Sequence, residues 1–144
     1  MTTLEHSAII SSQTDPRPTK ILIVEDEEVV RRVLEEILHR LGYMVLAAAD
    51  GFEALDLFSE HAADLDLVLF DMSMPRMSGD VLFNKLRQAA PGLKTLLTSG
   101  YSDFAPIEEM RSKGLSGFLP KPFTIQQVRD ELHRVLNKPE PHAA

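Results

Sequence analysis

The chain has 144 residues, 44% hydrophobic and 26% charged, a size and composition that suit one domain with its own core rather than two. Its formal net charge of −7 argues against a broad nucleic-acid surface, and the absence of cysteine excludes disulfides, thiolate metal sites and cysteine nucleophiles. No apolar run approaches the ~20 residues of a membrane span, and the opening MTTLEHSAII lacks the basic start of a signal peptide, so a cytoplasmic protein is expected.

Residues 1–18 are rich in Ser, Thr and Pro without any period and read as a disordered tail; residues 138–144, KPEPHAA, read as a second one. Between them lies a regular alternation. KILIV, 20–24, is a first short strand. Helical spacing takes over across 28–41, where Val29, Val30, Val33, Leu34, Ile37, Leu38 and Leu41 fall on one stripe before Gly42 ends it. A second strand is predicted over 44–48. Asp50 with Glu53 then resembles a capping box opening a helix that runs to about His61. The third strand is 67–70, followed by a helix that Ser78 can cap and Pro91-Gly92 breaks. KTLLT, 94–98, is the fourth strand, and a weaker helix spans 103–113 with Pro106 in its first turn. A fifth strand is predicted over 116–119. Thr124 and Gln127 form a box opening a last helix over 124–137, with Ile125, Val128, Leu132, Val135 and Leu136 on its stripe.

Five β–α units with strands apolar on both faces predict an α/β fold, a parallel sheet covered by helices on each side. In such open sheets the functional site lies beyond the carboxyl ends of the strands. There the chain places Glu25 and Asp26 after strand one and Asp71 after strand three. Ser99 and Gly100 follow strand four, and Pro120, Lys121 and Pro122 follow strand five. Two carboxylates ~5 Å apart repel by ~3 kcal/mol at an effective dielectric of 20. Three crowded together call for a cation, and hard oxygen ligands suit Mg²⁺. With Lys121 as a fixed ammonium and Ser99 as a hydrogen-bond donor, this outlines a phosphoryl-transfer site.

ILIVEDEE, LVLFDMSMPRMSG, LLTSGY and GFLPKPF, in that order and spacing, resemble the motifs of the receiver domains of two-component response regulators, over roughly residues 19–137. The resemblance implies a flavodoxin-like, doubly wound sheet of strand order 2-1-3-4-5 with five helices. It implies Asp71 as the phosphoacceptor and Mg²⁺, replaceable by Mn²⁺, held by Asp26, Asp71 and the Ser73 carbonyl, with Glu25 acting through water. It implies Lys121 and Ser99 as phosphoryl-stabilising groups and Ser99 with Phe118 as the switch pair. Pro75, Gly79 and a cis Lys121–Pro122 bond shape the loops; Ser73 and Tyr101 tune rate and partner access. The usual family pair is Asp-Asp, from which Glu25 departs, and Tyr is frequent where this chain has Phe118.

The implied activity is that of a phosphorelay switch and not an enzyme. It takes phosphate from a sensor histidine kinase or a histidine phosphotransfer protein. Its output is the face of the fourth helix, fifth strand and fifth helix, which regulates a protein target or forms a weak homodimer. Neither nucleic acid nor membrane is an expected partner. After residue 137 too little chain remains for an output domain, so a stand-alone receiver or the receiver of a hybrid kinase is expected. Two alternatives carry less. A phosphatase of the haloacid-dehalogenase type would need an acid two residues after the nucleophile, where Ser73 stands. A receiver never phosphorylated usually lacks the acidic pair, the aspartate or the lysine, and all are present here. Met72, Met74 and Met77 read as loop packing or a soft contact surface. The five histidines form no metal-spaced pair.

Overall fold

The computed structural model describes residues 17–100 and 104–138. Five strands, β1 (Lys20–Val24), β2 (Met44–Ala48), β3 (Leu67–Asp71), β4 (Lys94–Ser99) and β5 (Gly117–Pro120), alternate with five helices, α1 (Glu28–Arg40), α2 (Gly51–His61), α3 (Gly79–Ala89), α4 (Phe104–Ser112) and α5 (Ile125–Leu136). All strand pairs are parallel and the order is β2-β1-β3-β4-β5, the flavodoxin-like arrangement expected. Strands β3 and β4 each run one residue further than predicted, because Asp71 pairs with Thr98 in the ladder and Ser99 with Pro120.

Successive strand residues face opposite sides, so β1 divides its side chains between two cores. Leu22 and Val24 join Val68, Phe70 and Leu97 beneath α2, α3 and α4, where Phe70 and Phe83 stack at a centroid distance of 6.4 Å. Ile21 and Ile23 join Leu67, Leu69 and Leu96 beneath α1 and α5. The strands apolar on both faces are β1, β3 and β4; β2 is an edge strand and leaves Met44 47% exposed. Met72, Met74 and Met77 are buried and belong to the first core, so they pack the loop rather than offer a surface.

Two helix ends show how local sequence sets direction. At the end of α1 the Gly42 amide donates to the His39 carbonyl and the Tyr43 amide to that of Leu38, with Gly42 at φ +95°. Gly114 closes α4 in the same way at φ +107°, with Leu115 donating to Met110. These are Schellman endings, which need a left-handed residue. The Thr124–Gln127 box forms as expected. The Asp50–Glu53 pair departs from the box geometry. Asp50 accepts from the Glu53 amide, but the Glu53 carboxylate accepts from the Ala49 amide, one residue earlier than a box requires. Ser78 occupies the N-cap of α3, yet its hydroxyl donates to Asp80 and does not cap the backbone.

Val29 and Val33, expected on the buried stripe of α1, are 75% and 48% exposed, and Ile125, expected on that of α5, is 62% exposed. The residues of α1 that reach the core are Val30, Leu34, Ile37, Leu38 and Leu41, so Val29 and Val33 flank the buried stripe, and Ile125 opens α5 ahead of its first buried residue, Val128. Arg17, expected in the tail, forms an ion pair with Asp66 at 2.8 Å. Lys138 bonds the Ser116 carbonyl at 3.0 Å, anchoring the start of the expected C-terminal tail.

Strand β5 is the other edge. The Phe118 amide donates to the Glu131 carboxylate at 3.0 Å, and Pro120 has no amide hydrogen, so two of its four residues offer no donor to an added strand. Burial alone would raise the Glu131 carboxyl. The Arg134 guanidinium and the Phe118 amide outweigh it and hold the group below the usual carboxylate range. A depressed pKa gives stability that is present above the unfolded value and lost as pH falls through the folded one. Glu131→Gln should therefore cost about 1 kcal/mol at pH 7 and less at pH 3, read from denaturant midpoints at the two pH values.

Candidate functional site

The carboxyl edge of the sheet gathers its side chains because β1, β3 and β4 end side by side. Burial of β1 carries Glu25 under with it, to 1% exposed, while Asp26, one residue further, is the most open of the acids. Asp71 ends β3 at 5% exposed. Glu25, Asp26 and Asp71 each bring one carboxylate oxygen within 4.8 Å of the others. Lys121 reaches in from beyond β5. Its Nζ lies 2.9 Å from Glu25 Oε1 and 3.3 Å from Asp71 Oδ1. The Lys121 amide donates to the Ser99 carbonyl at 2.8 Å, which joins the lysine's backbone to the end of β4. The Lys121–Pro122 bond is cis.

Both oxygens of Glu25 are engaged: Oε1 takes Lys121 and Oε2 accepts from the Glu27 amide at 3.1 Å. The Arg31 guanidinium donates to the Glu25 carbonyl at 2.8 Å and ties α1 to the acidic turn. Desolvation raises the Glu25 carboxyl above its ordinary range, against the pull of Lys121 and the Glu27 amide. Desolvation also raises Asp71; Lys121 opposes it and Asp26 adds to it. Burial pulls the Lys121 ammonium down, but its bonds to Glu25 and Asp71 win and raise it. Three carboxylates face one ammonium, so the donor set carries excess negative charge on hard oxygens, which is the chemistry that fits Mg²⁺.

Of the other expected site residues, Ser99 is 3% exposed at the end of β4, and Phe118 is half-buried against the first core. Ser73 and Pro75 are exposed in the loop after β3, and Gly79 is buried where that loop returns, its amide donating to the Met72 carbonyl at 2.7 Å. Tyr101 lies outside the described residues. Local sequence does not mark Arg31, which reaches the Glu25 carbonyl, Glu131, which reaches the Phe118 amide, or Arg76, which reaches Asp50 and Phe52. Nothing in the spacing of a lone surface arginine or glutamate marks which backbone group it will reach.

The fold and this edge define a class. The chain belongs to the response regulator receiver domain family, whose model matches residues 21–133. It is 37% identical over 118 residues to the sensor kinase CckA of Brucella abortus, a match covering 82% of this chain and 12% of that protein. It is 32% identical over 117 residues to the sporulation initiation phosphotransferase F of Bacillus subtilis, covering 81% of this chain and 93% of that one. The chain thus spans about an eighth of one relative and nearly all of the other. The crystal structure of a CheX–CheY–BeF₃–Mg²⁺ complex from Borrelia burgdorferi superposes with a TM-score of 0.80 at 25% identity, covering 84% of this chain and 91% of that one. Response regulators and the receivers of two-component systems are therefore its relatives. Among the described residues no helix is long and apolar enough to cross a membrane.

Proposed function

We propose that the chain is a phosphorylation-dependent switch of a two-component phosphorelay, cytoplasmic and regulatory rather than enzymatic. The observation that carries this reading is Lys121 Nζ held between Glu25 and Asp71 in a three-carboxylate pocket at the sheet's carboxyl edge. Asp26, Asp71 and the Ser73 carbonyl would hold Mg²⁺, with Glu25 through water because its own oxygens are taken. When bound, Mg²⁺ supplies positive charge toward phosphoryl oxygens.

The donor is a phosphohistidine on a sensor kinase or histidine phosphotransfer protein. An Asp71 oxygen forms a bond to phosphorus, the phosphorus–nitrogen bond breaks, and the imidazole leaves with the electron pair and takes a proton. Lys121 is already placed to exchange its Asp71 contact for a phosphoryl oxygen, and Ser99 supplies a hydroxyl donor from the end of β4. Water later attacks phosphorus, the bond from phosphorus to the Asp71 oxygen breaks, and inorganic phosphate leaves the restored carboxylate. Ser99 and Phe118 transmit the change to the α4–β5–α5 face, where a protein target reads it as a shift between two states.

A seat for the donor at the pocket's rim is supported by the surface there. An apolar groove of about 520 Å³ lies beside Lys121, lined by Val29, Val33, Pro122 and Phe123. That placement gives a role to the α1 residues that the sheet leaves uncovered.

Incubation with acetyl phosphate and Mg²⁺ should add one phosphoryl group, located at Asp71 by peptide mass mapping, and Asp71→Asn should take none. Label that persists in the variant, at any other residue, would falsify the assignment.

A further inference from the structure

The loop after Asp71, residues 72–78, carries Ser73, which is exposed. The loop is gripped by the start of α2. The Arg76 guanidinium forms an ion pair with Asp50 and lies 5.5 Å from the centre of the Phe52 ring. Met77 packs so closely on Gly51 that a Cβ there would stand 2.5 Å from its sulfur. Three consecutive residues of one element thus hold two consecutive residues of the other.

The backbone shows that this grip has a cost. Arg76 sits at φ +67°, in a γ-turn closed by the Met77 amide on the Pro75 carbonyl at 2.7 Å. A side chain other than Gly, Asn or Asp avoids that region, and such a residue stays there only where its surroundings hold it. Asp50 supplies the hold from a fixed position. It is the N-cap of α2, its Oδ1 accepts from the Glu53 amide at 2.8 Å, and its side chain is 17% exposed. The other end of the loop is closed by the Gly79 amide on Met72. Ser73 lies in the segment between these two anchors.

We infer that Arg76 is a positioning residue: its pairing with Asp50 and Phe52 fixes the 72–78 loop so that the Ser73 carbonyl is set for Mg²⁺ before any metal arrives. This rests on the metal site proposed above. Loss of the pair leaves the loop free to relax from the γ-turn, and metal binding must then order it again.

The test uses the full chain and three variants. Arg76→Ala removes the ion pair with Asp50 and the contact with Phe52. Asp50→Ser removes the ion pair but keeps an N-cap hydroxyl for the Glu53 amide. Arg76→Lys keeps the charge. Hydrogen exchange on metal-free protein reads the loop directly, and Mg²⁺ titration followed by amide shifts reads the consequence. Arg76→Ala and Asp50→Ser should each weaken Mg²⁺ binding by about 10-fold, the lower end of losses seen when outer partners of a metal ligand are removed. Both should also speed exchange of the Met77 and Gly79 amides without shifting the melting temperature. The double variant should lose no more than either single one, and Arg76→Lys should recover most of the affinity. Wild-type affinity and exchange in Arg76→Ala, or losses that add in the double variant, would overturn the inference. Absence of Mg²⁺ binding by the wild-type protein would instead remove the metal site itself.

Discussion

Asp71→Asn is expected to stabilise the metal-free protein while it abolishes phosphorylation. Asp71 is 5% exposed, with its carboxyl raised by desolvation and by Asp26, and the single ammonium of Lys121 is shared with Glu25. Ionised at neutral pH, it therefore costs free energy in the folded state that the unfolded chain does not bear. Asparagine keeps the shape and an oxygen for Lys121 but drops the charge. The gain should be about 1–2 kcal/mol, which for a domain of this size raises the melting temperature by roughly 3–6 °C.

The sign with pH follows from the raised pKa. The penalty is absent below the unfolded value and fully present above the folded one, so the two proteins should converge as pH falls toward 4 and diverge toward neutrality. Glu25 shifts the same way and adds to the wild-type slope. Mg²⁺ should then raise the wild-type melting temperature by mass action and the variant's much less. A variant that melts at or below the wild type in the absence of metal would show that Lys121 already compensates Asp71 in full.

The two charge effects show why the site was more legible in the sequence than its support. Glu25, Asp26, Asp71, Ser99 and Lys121 announce themselves because parallel β–α order alone sends the ends of β1, β3, β4 and β5 to one edge. Which chain atoms hold them is a matter of reach. Arg31 finds the Glu25 carbonyl six residues back and Arg76 finds Asp50 twenty-six back. Neither follows from local pattern, and a positive φ at arginine has no sequence signal at all. The helical stripes erred in a related way. Periodicity places Val29 and Val33 beside Val30, Leu34, Ile37 and Leu38, but the face of α1 that the core covers is narrower than its apolar face and leaves both outside it. The Asp50–Glu53 pair misled in a smaller way: the residue types of a capping box were present, and the glutamate reached the Ala49 amide instead.

Gly79→Ala should be the most damaging single methyl in the chain. A Cβ at Gly79 would stand 2.5 Å from the Asp71 carbonyl oxygen and 2.7 Å from Met72 Cα. Its three nearest neighbours are backbone of the strand end that carries Asp71, held in the ladder by the Met72 amide on the Thr98 carbonyl at 2.9 Å. Neither side can yield by turning a side chain. The start of α3 must therefore move away from β3, and the Gly79–Met72 hydrogen bond that closes the loop must stretch or break. The cost should be about 2–4 kcal/mol, as for overpacking against rigid atoms. Gly51→Ala is the matched control, because its Cβ would meet only the Met77 side chain, the nearest atom being Sδ at 2.5 Å, and a methionine can change rotamer. Melting temperatures and acetyl phosphate labelling of both variants separate the cases. Gly79→Ala should lose several degrees and most of its labelling, whereas Gly51→Ala should lose less of each. Equal melting temperatures for the two would mean that α3 can withdraw from Asp71 without strain, and that the loop after Asp71 is set by Arg76 and Met77 alone.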